Sequence, residues 1–135
     1  VSTRFGRRAA AVLAGLLLGV VVLSGCGGGG SSGGGSAYVE PKGASTETLP
    51  FEAGNFYFNP AKVTAKPGIA TIELTAKNGI HDFVFDGAYS GFSLEADGGG
   101  GTQSKKIDLK PGTYTFYCSI AGHRAAGMEG TLTVK

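Results

Sequence analysis

"KKIDLKPGTYTFYC", Lys105 to Cys118, holds two apolar alternations separated by a turn. Ile107 and Leu109 share one face of the first, Tyr114 and Phe116 one face of the second, and Lys110-Pro111-Gly112 lies between them. Side chains alternate across a strand, so this period of two predicts two half-buried strands, and Pro followed by Gly presets the reversal. The same pattern recurs outward from this stretch. "ATIELTAKNG" (Ala70–Gly79) sets Ile72 and Leu74 against Thr71, Glu73 and Thr75, and "HDFVFDG" (His81–Gly87) places His81, Phe83 and Phe85 on one side. "NFYFNP" has aromatic strand character up to Pro60, and "GTLTVK" closes the chain with Leu132 and Val134 inward. Short strands from Glu47 onward, Gly/Pro punctuation and no amphipathic helical pattern predict an all-β fold, an antiparallel β-sandwich of about 90 residues. Residues 87 to 104 are the least regular, and Gly98 to Gly101 are expected to form a mobile surface loop.

The 135 residues suffice for one domain, and many of the 25 glycines cluster at Gly27–Gly35 and Gly98–Gly101, outside any core. Residues 1–25 read as an export signal, with Arg4, Arg7 and Arg8 ahead of an apolar run from Ala9 to Leu23. That run falls short of the roughly 20 residues that span a bilayer. Leu23-Ser24-Gly25-Cys26 resembles the lipobox of bacterial lipoproteins, which implies cleavage before Cys26, lipid on that cysteine, and a membrane tether made of acyl chains. Residues 26–46 then form a lipidated cysteine and a Gly/Ser-rich flexible linker, reaching ~25 Å by random-coil statistics. The expected location is exported, lipid-anchored at the outer face of the cytoplasmic membrane or in the periplasm. Without the signal, nine basic residues face ten acidic ones, a net charge of −1 in place of +2. No basic stripe with interleaved aromatics remains, so nucleic-acid binding has no support.

Lipidation of Cys26 leaves Cys118 as the free thiol, a liability outside the cytoplasm unless buried or bound. Around it stand rare residues at regular spacing. "YCSIAGHRAAGM" places Cys118, His123 and the sole methionine, Met128, five residues apart, and the one other histidine is His81. His81 opens a strand whose Phe83 and Phe85 point inward, Cys118 ends one whose Tyr114 and Phe116 do, and the loop 119–128 returns His123 and Met128 to the same pole. Two imidazoles, a thiolate and a weak thioether match the trigonal copper site with a long axial Met, whereas zinc favours Cys and His without methionine. Each residue alone is more often core or filler; jointly they predict a metal site.

The spacing C-x4-H-x4-M after a strand, with an upstream His before Asp-Phe, resembles the cupredoxin family of small blue copper proteins, the plastocyanin, azurin and auracyanin relatives. The resemblance covers Glu47 to Lys135. It implies a Greek-key sandwich, one type 1 copper ion, ligation through the δ nitrogens of His81 and His123, the Cys118 thiolate and an axial Met128, and one-electron transfer without substrate turnover. It also implies that His123 is the surface-reaching ligand, with Ile120, Ala121, Arg124 and Ala125 around it as a docking patch for a redox partner such as a cytochrome or an oxidase. The domain is expected to act as a monomer. Where the family often has Asn after the first ligand histidine, this chain has Asp82, able to accept from the Ser119 hydroxyl or a backbone N–H and unable to donate when ionised. The rival readings are a copper chaperone or storage lipoprotein, a multicopper oxidase lacking the histidines it needs, a Cys-His hydrolase that leaves Met128 and His81 unexplained, and a purely structural sandwich.

Overall fold

The computed structural model describes residues 38–135. The expected export signal (1–25), Cys26 and the first part of the expected linker lie outside the described residues. Nine strands follow in order: β1 (Glu47–Gly54), β2 (Tyr57–Asn59), β3 (Lys62–Ala65), β4 (Gly68–Ala76), β5 (Ile80–Phe85), β6 (Ser93–Asp97), β7 (Thr102–Leu109), β8 (Gly112–Tyr117) and β9 (Glu129–Val134). They make two sheets, β2-β1-β4-β7 and β3-β9-β8-β5-β6. No helix occurs among the described residues. This is the all-β sandwich that the alternating sequence predicts. Two pairings within it, β1 with β4 and β3 with β9, run parallel rather than antiparallel. The chain switches sheets between the strands concerned, and a sheet change releases consecutive strands from the hairpin rule that enforces antiparallel neighbours.

The period of two does what it predicts in β4, where Ala70, Ile72, Leu74 and Ala76 are buried and the residues between them are not. Leu49, Phe51 and Ala53 of β1 and Ile107 and Leu109 of β7 complete that sheet's inner face. Phe83, Phe85, Phe116, Leu132 and Val134 cover the other. The two layers meet through aromatic rings. Phe83 and Phe116 stack at 4.5 Å between centroids, and Phe51 meets them at 4.8 and 5.1 Å. Such pairs contribute ~1 kcal/mol each beyond area burial and fix the rotamers around them. At the start of β9 Gly130 is required sterically, since a Cβ there would collide with the Phe116 ring and the Ala61 carbonyl.

Two expectations need correction. Residues 87–104 are more regular than their composition suggests: β6 and the start of β7 lie there, with Leu94 and Ala96 of β6 buried. Gly98–Gly101 between them form an exposed surface turn, in which the Gly98 N–H donates to the Gly79 carbonyl at 2.8 Å and the Gly100 N–H to the Asp97 carbonyl at 2.8 Å. The expected flexible linker also ends earlier than residue 46. Residues 38–46 form a strap along β7, the edge of its sheet: Tyr38 Oη donates to the Lys106 carbonyl at 2.5 Å, and the Lys106 N–H donates to a Glu40 carboxylate oxygen at 2.9 Å. Tyr38 also packs edge-on against Phe92 at 5.1 Å. An open edge leaves backbone donors and acceptors unpaired, and two side chains here occupy both groups of Lys106. Lys105 and Lys106 also make contacts within the chain. Lys105 Nζ lies 5.6 Å from the Phe92 centroid, and Lys106 Nζ donates to the Gly43 carbonyl at 3.1 Å.

Candidate metal centre

β5 and β8 pair only at Val84 with Tyr117 and Phe85 with Phe116, so the first half of β5 extends past the end of β8. The chain leaving β8 at Cys118 therefore falls against the free flank of β5. There the Asp82 N–H points at Cys118 Sγ across 3.5 Å, and the Ser119 N–H donates to Asp82 Oδ1 at 2.5 Å, with the Ser119 hydroxyl on Oδ2. Asp82 is 8% exposed although it alternates away from the inner face, because the Cys118–Ser119 segment covers it. It acts as the sequence predicts, an acceptor for both the Ser119 hydroxyl and its N–H.

Beyond Ser119 a run of turns brings the chain back. His123 N–H donates to the Ile120 carbonyl at 3.0 Å, Met128 N–H to the His123 carbonyl at 3.1 Å, and Cys118 N–H to the Met128 carbonyl at 3.1 Å. Gly122 and Gly127 take φ of 85° and 100°, a region that disfavours side chains, which is why glycine stands at these two reversals. The three backbone bonds close a ring through Cys118, His123 and Met128.

His81, Cys118 and His123 present donor atoms that all lie within 4.8 Å of one another. Cys118 Sγ and His123 Nδ1 are 3.4 Å apart, and the two imidazole centroids 5.1 Å. Met128 is fully buried beside them in sequence and hydrogen bonding. His81 is 2% exposed, and neither of its ring nitrogens has a hydrogen-bond partner. A buried unpaired polar atom costs about 1–3 kcal/mol, so the site is built for something that accepts a lone pair. Burial pushes the His81 pKa down, with the charge of His123 adding to the effect, so the imidazole is neutral and free to donate. Burial pushes the Cys118 thiol up, so a metal entering here displaces its proton. Two imidazoles, a thiol that yields a thiolate and a buried thioether fit copper.

The expected docking residues divide. Ala121 and Ala125 are exposed beside His123 and Ile120 is half-buried against the core. Arg124 is paired along the surface, its side chain 40% exposed: its guanidinium donates to Asp86 at 2.6 Å and Glu129 at 3.1 Å and lies 4.1 Å from the Tyr117 ring centroid. A residue absent from the sequence reading takes a place at the site. Phe56, 48% exposed in the β1–β2 turn with φ of 63°, meets the His123 ring edge-on at 5.2 Å. The two-residue gap between β1 and β2 was the one available signal, hidden because Asn55-Phe56 continues an aromatic run.

The family of copper binding proteins described as plastocyanin/azurin matches residues 46–135. Plastocyanin from the fern Dryopteris crassirhizoma is 36% identical over 98 residues, covering 62% of this chain and 93% of the fern protein. Plastocyanin from Nostoc punctiforme is 36% identical over 110 residues, 68% of this chain and 77% of that one. Among solved structures auracyanin B superposes with a TM-score of 0.56 at 21% identity, over 75% of this chain and 96% of auracyanin B. That likeness is one of fold.

Proposed function

The chain belongs to the plastocyanin/azurin family of copper binding proteins, and from that premise we propose that it is a one-electron carrier using a single type 1 copper. His81, Cys118, His123 and Met128 hold the ion. The observation that carries the reading is the convergence of His81, Cys118 and His123, which each present a donor atom within 4.8 Å of the others while the buried His81 nitrogens make no hydrogen bond. Copper bound there supplies a reversible Cu(I)/Cu(II) couple. The chain keeps its ligands in one arrangement through the Cys118–Met128–His123 backbone ring and the Asp82–Ser119 clasp, and its aromatic core excludes water from behind. A site that holds still between oxidation states suits electron transfer rather than metal delivery. Both histidines of the chain are committed to this one site, which leaves no imidazoles for further catalytic coppers.

His123 is the half-buried ligand among three buried ones and so the natural exit for the electron. The apolar residues Phe56, Ile120, Ala121 and Ala125 offer a small surface for brief docking of a redox protein. Arg124 is left out of that surface because its charge is engaged within the chain. Membrane tethering through a lipidated Cys26 belongs to the same proposal and rests on the Ala9–Leu23 run and the Leu23-Ser24-Gly25-Cys26 motif.

The test is the full chain, expressed with its signal, purified from membranes and given Cu(II). The expected results are a mass shift on the Cys26 peptide from acylation, an intense blue thiolate-to-copper band, and narrow EPR hyperfine splitting lost in Cys118→Ser. Ordinary weak Cu(II) signals would sink the carrier reading. An unmodified Cys26 would sink the tether alone.

A further inference from the structure

The Arg124 network touches a neighbour of every ligand on the C-terminal side of the site. Arg124 itself follows His123, Tyr117 precedes Cys118 and Glu129 follows Met128. The remaining partner, Asp86, follows the strand that carries His81, and its N–H donates to the Thr115 carbonyl of β8 at 2.9 Å. One guanidinium thus joins four chain segments: edge-on to Asp86 at 2.6 Å and Glu129 at 3.1 Å, face-on to Tyr117 at 4.1 Å. We propose that Arg124 is a positioning residue for the copper ligands, an outer brace that holds the ligand loop in register with the ends of β5, β8 and the start of β9. The proposal rests on the copper-carrier reading of the site.

The geometry is specific to arginine. Two N–H edges meet two carboxylates while the planar face covers a ring, and a lysine ammonium offers a point charge without the plane. The brace also separates two carboxylates that would otherwise repel. Each contact is partly exposed, and exposed ion pairs contribute little to global stability. What four segments meeting at one cation can do is remove slack: the backbone ring fixes the loop from inside and the guanidinium from outside. Groups hydrogen-bonded to metal ligands commonly change metal affinity by about 10–100-fold, and a brace that touches only the neighbours of the ligands is expected at the low end of that range. The loss of slack is therefore read at the metal and in the loop, not in the unfolding curve.

The experiment compares the full chain with Arg124→Lys, with the isosteric pair Asp86→Asn/Glu129→Gln, and with all three substitutions combined. Two readouts are taken: the rate at which Cu(II) passes to a chelator together with the EPR hyperfine linewidth, and amide exchange of residues 119–128 in the metal-free protein. The expected result is an increase of about tenfold in Cu(II) release, a broader hyperfine pattern and faster loop exchange in both variants. The combined variant should be no worse than either, since all three changes break one brace. An effect in Arg124→Lys with none in the carboxylate pair would overturn the proposal and turn Arg124 outward, toward a partner. Additive effects, or unchanged release and loop exchange, would overturn it too. If the unmodified chain lacks the blue band, it is the carrier reading that fails, while loop exchange in the metal-free protein still decides the brace.

Discussion

Replacing Tyr38 by alanine leaves all nine strands and all four copper ligands in place and uncovers the β7 edge. Three contributions go. The edge-on pair with Phe92 is worth ~1 kcal/mol. The hydrogen bond to the Lys106 carbonyl is worth ~1 kcal/mol net. Half-burial of the ring adds ~1 kcal/mol of transfer free energy. The sum, about 3 kcal/mol, holds only if the strap stays in place after the substitution. Should residues 38–46 peel away, they regain conformational freedom at ~1 kcal/mol or more per residue, which caps the loss. We therefore expect ~2 kcal/mol. With a urea slope of about 1.5 kcal/mol per molar for a domain of this size, the midpoint falls by ~1.3 M. Tyr38→Phe keeps the ring and loses the hydroxyl, so its midpoint should lie between the two, ~0.7 M below the parent. The chain has no tryptophan, so unfolding is followed by far-UV circular dichroism and tyrosine fluorescence on the copper-free protein. A Tyr38→Ala midpoint within about 0.3 M of the parent would refute the strap as part of the folded domain.

Other expectations concern protons, charge and metal. Burial pushes the Tyr38 and Tyr89 hydroxyls up to about 12 from an ordinary value of 10.0, so the folded state keeps protons that the unfolded state releases first. Their stabilisation is complete below pH 10 and is lost as pH rises toward about 12; urea midpoints across that window should fall, and fall less in Tyr38→Phe. Asp82→Asn removes a negative charge that favours Cu(II) and should raise the reduction potential by voltammetry, an unchanged potential counting against any electrostatic role for the carboxylate. Adding Cu(II) to the metal-free chain should raise its melting temperature in a concentration-dependent way, and Cys118→Ser should lose most of that rise along with the blue band.

The copper ligands were legible because they are rare: two histidines, one methionine and a cysteine beside a strand end stand out from any background. The core strands were legible for another reason, since Ile72, Leu74, Phe83, Phe116 and Leu132 obey a local period that burial enforces. What escaped depends on partners distant in sequence. The strap reads as linker because "YVEPKGAST" is polar, and its order comes from Lys106, 68 residues away from Tyr38. β6 offers only Leu94 and Ala96 to the core, too little alternation to announce a strand. The parallel pairings follow from sheet changes that no local pattern encodes. Arg124 was legible as a charge near a ligand but not as a paired one, because its carboxylates sit 38 residues upstream and five downstream.

Past Val84 and Phe85 no ladder joins β5 to the chain that leaves β8, and the Asp82–Ser119 clasp takes its place. His81 and Cys118 thus stand on neighbouring segments tied by a side chain rather than by a sheet. A change at position 82 therefore alters the spacing of two ligands without touching either.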